Sequence, residues 1–464
     1  MAEELTQAGA RASRVARGTS TSNFGVSKRE SHDASGFYGR FEPPVLDDDD
    51  TVLAPAAIAD PFVCGDARHM ETLADGSVAL VVTSPPYFAG KQYEEELERD
   101  GVPSSYLEYL DLLHDVFAEC VRVLEPGGRI AVNVANLGRK PYRSLAADVI
   151  HILQDRLGLL LRGEIVWQKG AGASGSCAWG SFRSPSNPVL RDVTERVIVA
   201  SKGRFQRALT VEQRRARGLP HEATIATEDF MALTLDVWQT PTESARRVGH
   251  PAPFPVELPE KLIELYTFAD DLVLDPFMGS GSTLVAASRL GRRYVGYDLD
   301  PGYVELARAR VEDDGHPAEL DGRRLVGSKD RVEQVLTEAG FALEAEPNVR
   351  LKGTGMVVHQ IATDRTGARW VIELGGPFVR HRGGLTSTDA VWRTLGRAHV
   401  LRGARERVLV LTSELPRRRT EFDQALRTAG HEAFHDVIDV FDPDALDRLA
   451  RYAAGETTQL PGFW

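Results

Sequence analysis

The sequence predicts an α/β protein: a doubly wound, mostly parallel sheet interrupted by an insert, followed by a second, smaller α/β domain. Three observations carry this. Short apolar runs alternate with helical periodicity from about residue 60. Two of these runs, Val78–Thr83 and Leu272–Leu274, end in motifs rather than ordinary turns: Ser84-Pro85-Pro86-Tyr87 and Asp275-Pro276-Phe277-Met278-Gly279-Ser280-Gly281-Ser282-Thr283. The alternation lapses between about 170 and 248, where Gly, Ser, Arg and Pro accumulate, and then resumes.

Composition narrows the class. The 464 residues are enough for more than one domain and a sizeable core. No apolar stretch approaches the roughly 20 residues that span a bilayer, and the polar start lacks a signal-peptide core, so a cytoplasmic protein with no membrane partner is expected. Three scattered cysteines, Cys64, Cys120 and Cys177, suggest neither a disulfide framework nor a metal cluster. A net charge of −12 argues against a chain that coats nucleic acid nonspecifically, although one basic groove would suffice for DNA.

Residues 1–58 read as a flexible, polar arm whose Asp47–Asp50 run is solvated, with aromatics at Phe24, Phe37, Tyr38 and Phe41 that could dock on the following domain. Residues 59–318 then alternate. Strands are expected at Pro61–Cys64, Ala79–Val82, Gly127–Asn133 and Leu161–Trp167, with helices at Tyr106–Leu124 and Leu145–Leu157 between them. Beyond the insert come a helix at Pro259–Phe268, a strand at Leu272–Leu274, a helix at Thr283–Leu290 and a strand at Tyr294–Tyr297.

The glycine motif has a definite chemistry. A strand ending in Asp275, followed by Gly279-Ser280-Gly281 and a helix beginning near Thr283, lets backbone approach a ligand where a side chain would block it. The next strand ends in Asp298, placed to accept hydrogen bonds from ribose hydroxyls, with Asp300 as the alternative. No phosphate-loop lysine accompanies the turn, and two acids would repel a pyrophosphate. A cofactor carrying a ribose and a positive sulfonium fits better, with Asp275 facing it.

The proline motif sits at the carboxyl end of a buried strand, the edge where open α/β sheets collect ligands. Two consecutive prolines fix φ and remove donors, leaving rigid carbonyl acceptors. Ser84 Oγ and the Pro85 carbonyl could accept the two protons of an exocyclic base amine, restoring nucleophilicity to its nitrogen. Pro86 stiffens the loop, and Tyr87 offers a face for stacking an extruded base.

On these residues the segment from 60 to about 312 resembles the β group of DNA amino-methyltransferases, in which the catalytic motif precedes the cofactor motif. The resemblance implies a Rossmann-like fold, S-adenosyl-L-methionine as cofactor and double-stranded DNA as substrate. His250–Lys261 resembles the segment completing the cofactor pocket, which carries cofactor roles onto Pro253, Phe254 and His250. The glycine motif carries them onto Asp275, Pro276, Phe277, Gly279, Gly281 and Thr283, and Gly65-Asp66 resembles the site near the adenine. Asn133 and Trp167-Gln168-Lys169 also match the pattern, with no chemistry assigned. Ser at position 84 accompanies cytosine-N4 methylation more often than adenine-N6. The family context further suggests a restriction-modification or defence setting, a homodimer and a cognate restriction endonuclease.

The insert, about 170–248, is where this family keeps target recognition. Lys202, Arg204, Arg207, Arg214, Arg215 and Arg217 stand against a single acid, Glu212, and could contact DNA; Ser181–Ser186 is a second candidate face. Residues 325–464 follow a strand-hairpin-helix-strand order resembling restriction-endonuclease-like domains, with strands at Met356–Ile361, Trp370–Leu374 and Arg407–Leu411. Helices are expected at Ala390–Val400 and Thr420–Ala429. Such nucleases hold magnesium with an acid on one strand and Glu/Asp-x-Lys on the next. Here Glu373-Leu374-Gly375 lacks the lysine and Asp364 is displaced toward the turn, so the domain reads as a nonnuclease relic. Three classes of function stay open: a DNA cytosine-N4 methyltransferase (or its adenine-N6 counterpart), a bifunctional methyltransferase-nuclease, and a noncatalytic DNA-binding module.

Overall fold

The computed structural model describes residues 46–55, 58–87, 105–136, 142–169, 180–243, 248, 254–314, 328–344, 348–376, 378, 383–460 and 463. Pro253, His250, Cys177 and the aromatics between 24 and 41 lie outside these residues.

Eight strands form the first sheet: β1 (Phe62–Cys64), β2 (Val78–Thr83), β3 (Leu124–Val134), β4 (Leu160–Gln168), β5 (Thr194–Ser201), β6 (Val237–Gln239), β7 (Leu272–Asp275) and β8 (Arg293–Asp298). Their order is β1-β8-β7-β2-β3-β5-β4-β6. The run from β1 to β3 is parallel; β5 is antiparallel to both β3 and β4, and β6 is parallel to β4. The central parallel strands β2 and β7 are buried on both faces, which is why they read as continuous apolar runs rather than alternating ones. Helices cover both sides. Tyr106–Val123 buries Leu113, Phe117 and Cys120 and is capped by the Ser105 side chain on Glu108 N, while Glu257–Tyr266 and Ser282–Arg289 pack on the other apolar cluster.

Three expectations for the first sheet and its surroundings are corrected. The lapse of rhythm between 170 and 248 hides β5, a core strand whose Val197–Ser201 are all buried, so the sheet runs through the insert. The helix expected over 145–157 is α-helical only to His151; Ile152–Arg156 widens into a π turn. The acidic run is not merely solvated. Asp47 N donates to Gly203 O at 2.7 Å, Arg204 donates to Asp49 O at 2.8 Å, and Arg217 pairs with Asp50 at 3.4 Å.

The last third builds a separate sheet with its own apolar clusters. Strands β9 (Ala342–Leu343), β12 (Gln360–Thr363), β13 (Arg369–Leu374), β14 (Val408–Thr412) and β15 (Asp436–Asp439) stand in the order β15-β14-β13-β12-β9. The hairpin β12-β13 is antiparallel and β13-β14-β15 parallel, with helix Thr388–Gly403 crossing between β13 and β14. The single strand expected over Met356–Ile361 is two. Met356–Val358 (β11) pairs with Val349–Leu351 (β10) in a small ribbon, and Gln360 onward joins the main sheet. No helix among the described residues is long and apolar enough to cross a membrane.

Candidate active site

Both motifs lie at the carboxyl edge of the first sheet, on adjacent strands. Because β2 pairs with β7 and β7 with β8, the ends of these strands bring Thr83, Asp275 and Asp298 into one row. Thr83 Oγ1 and Thr283 Oγ1 each donate to the Asp275 carboxylate at 2.7 Å, and Phe277 N adds a third bond at 3.1 Å. Asp275 is fully buried, and burial raises its pKa to about 6 despite these donors. Its oxygens accept from both loops, so Asp275 clamps the catalytic loop to the glycine loop.

The glycine loop supplies the cradle. Gly279 and Gly281 both have positive φ, 46° and 77°, and Gly281 opens the helix Ser282–Arg289. A Cβ on Gly281 would meet the Ala307 Cβ at 2.8 Å, so the turn and the helix behind it admit only glycine. Gly279 N donates to Asp298 Oδ2 at 3.0 Å and Asp300 N to Oδ1 at 2.9 Å, which orients a half-buried carboxylate while leaving each oxygen a lone pair. Burial raises the pKa of Asp298 as well. Such a carboxylate suits a ribose diol, and the neighbouring Asp275 favours a positive ligand. Phe254 and Pro276 are buried and Phe277 half-buried around this turn; the Phe254 carbonyl accepts from Ser282 Oγ at 2.9 Å. Asp66 lies one strand over, at the end of β1, where Gly65 N bonds the Asp298 carbonyl, and its carboxylate is held by Arg68.

The catalytic loop is fixed from below and beside. Tyr109 Oη donates to the Pro86 carbonyl at 2.5 Å. Ser84 Oγ is 2.9 Å from Tyr87 Oη, which donates to Glu195 Oε2 at 2.9 Å. Asn133, at the end of β3, directs Nδ2 at Glu195 Oε2 (2.6 Å), Tyr87 Oη (3.0 Å) and Ser84 Oγ (3.4 Å), while its buried Oδ1 has no partner among the described residues. Lys169 Nζ closes the group at 2.7 Å from Glu195 Oε1. The expected stacking face on Tyr87 is corrected. The residue is 9% exposed and packed in the core cluster, and burial together with Glu195 drives its phenol pKa well up. Glu195 escaped the sequence reading altogether, and Lys169 carried no assigned chemistry; the only sequence signal for Glu195 was an acid opening an apolar run.

The basic run is placed elsewhere. Because β5 is antiparallel to β3, its end at Ser201 lies at the start of β3, on the opposite edge of the sheet from Ser84. Arg207 and Arg214 are drawn inward to Glu125 and Asp271, Arg214 with 1% of its side chain exposed. Lys202 Nζ bonds the Arg122 and Leu124 carbonyls, and Arg204 and Arg217 hold the acidic run. Arg215 is exposed on that same far edge. The DNA-contact reading of Lys202, Arg204, Arg207, Arg214, Arg215 and Arg217 is therefore corrected: the run lies away from the catalytic edge, where Lys202, Arg207 and Arg214 buttress the sheet, Arg204 and Arg217 hold the acidic run, and Arg215 is exposed. The other candidate, Ser181–Ser186, belongs to an exposed segment, 180–193, closed by a Gly180 to Pro188 bridge and leading directly into Thr194 and Glu195.

In the second sheet, Asp364 is spent on its own turn, accepting from Thr366, Ala368 and Trp370 Nε1, and Glu373 accepts from Arg397 Nε at 2.6 Å. Among the described residues no three His, Cys, Asp or Glu side chains are grouped to hold a metal.

The DNA methylase family of N6 and N4 enzymes matches residues 78–309, half of the chain and all of the geometry just described from β2 to β8. This chain belongs to that family. As a DNA methylase of the β amino-methyltransferase group, it uses S-adenosyl-L-methionine to methylate an exocyclic amine of DNA. The type II methyltransferase M.MthZI of Methanothermobacter thermautotrophicus is 31% identical over 271 residues, covering 53% of this methylase and 75% of the relative. The DNA adenine methyltransferase YhdJ of Escherichia coli K12 is 25% identical over 304 residues, 63% of this chain and 95% of its own. Among solved structures, the PvuII DNA methyltransferase, cytosine-N4-specific, is similar with a TM-score of 0.41 at 23% identity, covering 53% and 84% of the two chains.

Proposed function

We propose that this DNA methylase transfers its methyl group to the N4 amine of cytosine at a specific DNA site, with Ser84 as the residue that meets the amine. The observation that carries the reading is Ser84 itself: a neutral hydroxyl at the end of β2, half-buried and held between Tyr87 and Asn133. Ser84 Oγ and the Pro85 carbonyl accept hydrogen bonds from the two amine N–H groups and draw the nitrogen lone pair out of the ring. Bound S-adenosyl-L-methionine supplies an electrophilic methyl on a sulfonium. Gly279, Gly281 and Asp298 hold that cofactor, and the clamp at Asp275 sets the distance between the two loops. Rate comes chiefly from positioning and exclusion of water, since a serine hydroxyl is a weak base. Ser84→Ala should lose methyl transfer to DNA while calorimetry still registers cofactor binding; retained transfer would remove Ser84 from this role.

The same acceptors suit the N6 amine of adenine, and an adenine methyltransferase stands among the relatives, so adenine is the second reading. The exposed segment 180–193, which carries Phe182 and Arg183 and leads into the start of β5 at the catalytic edge, is the DNA face under this account. Residues 325–464 form a second domain of endonuclease-like ancestry that does not cleave DNA, its acid at Glu373 being held by Arg397. A cognate restriction endonuclease and a homodimer are the partners the family resemblance suggests.

A further inference from the structure

The proton of each contact joining Ser84, Tyr87, Asn133 and Glu195 can be assigned. A phenol has one proton and two lone pairs, a carboxylate only accepts, and a primary amide nitrogen only donates. Glu195 Oε2 lies 2.9 Å from Tyr87 Oη and cannot donate, so the tyrosine spends its single proton there. Asn133 Nδ2 has two protons; the short contacts to Glu195 at 2.6 Å and Tyr87 at 3.0 Å use both, leaving the 3.4 Å approach to Ser84 without one. The amide cannot be turned over, because its oxygen would then face the carboxylate. At 2.9 Å from Ser84, the tyrosine oxygen can now only accept, so Ser84 donates.

We propose that Glu195 is a positioning residue that fixes the direction of this chain, Ser84 to Tyr87 to Glu195, and thereby turns both lone pairs of Ser84 Oγ toward the target amine. Lys169, at 2.7 Å on the other carboxylate oxygen, keeps Glu195 an acceptor. The arrangement meets a specific chemical need. An exocyclic amine carries protons to be accepted, and a serine free to rotate would present its own proton for part of the time, opposing them. The inference rests on the reading that Ser84 meets the amine.

The test is a double-mutant cycle on Glu195→Gln and Tyr87→Phe, read as the single-turnover rate of methyl transfer to DNA, with cofactor and DNA affinities and Tm measured in parallel. Glutamine can donate toward Tyr87 and reverse the chain. Glu195→Gln should slow transfer by about 30-fold or more while both affinities and Tm hold, the cost of misdirecting one charge-assisted bond at the reacting centre. Tyr87→Phe should slow it comparably, and Glu195→Gln added to Tyr87→Phe should cost less than about 3-fold more, because the carboxylate acts through the phenol. Fully multiplying effects, or a Glu195→Gln rate within about 3-fold of wild type, would overturn the proposal. If Glu195→Gln does not fold, Tyr87→Phe decides alone, and a near-normal rate there overturns it. Wild-type protein that binds cofactor yet methylates no DNA would overturn the functional reading, and this inference with it.

Discussion

Thr83 and Asp275 are 192 residues apart in sequence, yet the threonine hydroxyl donates to the aspartate carboxylate at 2.7 Å, with neither residue exposed to solvent. Through Thr283 on the other carboxylate oxygen, one buried acid joins the proline loop at the end of β2 to the glycine loop at the end of β7. The geometry of methyl transfer depends on this join.

Asp275 predicts an unusual pH dependence. Its carboxyl titrates near 6 in the fold against an ordinary value of 3.8, so the folded state holds its proton more tightly than the unfolded chain. The associated stability is fully present below about pH 4 and is lost as pH rises through 6, amounting to about 3 kcal/mol. Asp275→Asn carries no such proton. Chemical denaturation of both proteins between pH 4 and 7.5 should show the variant gaining on wild type as pH rises; a constant difference would refute the buried titration.

Gly281 should not tolerate a side chain. Alanine there would place Cβ 2.8 Å from Ala307 Cβ at a φ of 77°. Loss of about 1–3 kcal/mol of stability and of at least tenfold in cofactor affinity is expected, measured by denaturation and calorimetry. Affinity unchanged in a folded Gly281→Ala protein would detach this turn from the cofactor.

The two basic surfaces should behave oppositely. Arg215→Ala and Arg217→Ala lie on the far edge and should leave DNA affinity and its salt slope within error of wild type. Arg183→Ala should weaken binding several-fold and lower the slope of log K against log salt by about 1. Arg214→Ala should cost about 1–3 kcal/mol of stability by removing one of the two guanidinium groups that share Glu125 and Asp271 in the interior. Fluorescence anisotropy across a salt series separates the surfaces, and equal losses at Arg215 and Arg183 would return the far edge to DNA.

These placements explain what the sequence could and could not disclose. The proline and glycine motifs were legible because each is a local device: strand, stop, special backbone, helix. So was the clamp's acid, although not its orientation, since the hydroxyls that take its oxygens come from Thr83, far away in sequence, and from the helix beyond the glycines. Glu195 was illegible because an acid opening an apolar strand looks like a solvated strand end; only the pairing of β5 between β3 and β4 brings it beneath Tyr87. The basic run misled for a related reason. Charge density reads the same at either edge of a sheet, and strand direction alone puts Arg207 and Arg214 opposite the catalytic loop.

The second sheet gives a plain expectation. With Asp364 consumed by its turn and Glu373 held by Arg397, supercoiled plasmid incubated with magnesium or manganese should remain uncut. Nicking that disappears in Glu373→Ala would make this chain bifunctional.

The central claim is tested most directly by mass spectrometry of nucleosides from mixed-sequence genomic DNA incubated with the protein and methyl-labelled S-adenosyl-L-methionine, with Ser84→Ala as control. The account predicts label in N4-methylcytosine from wild type and none from the variant. Label in N6-methyladenine would keep the mechanism and contradict the cytosine assignment, and no label in DNA despite bound cofactor would contradict the account as a whole.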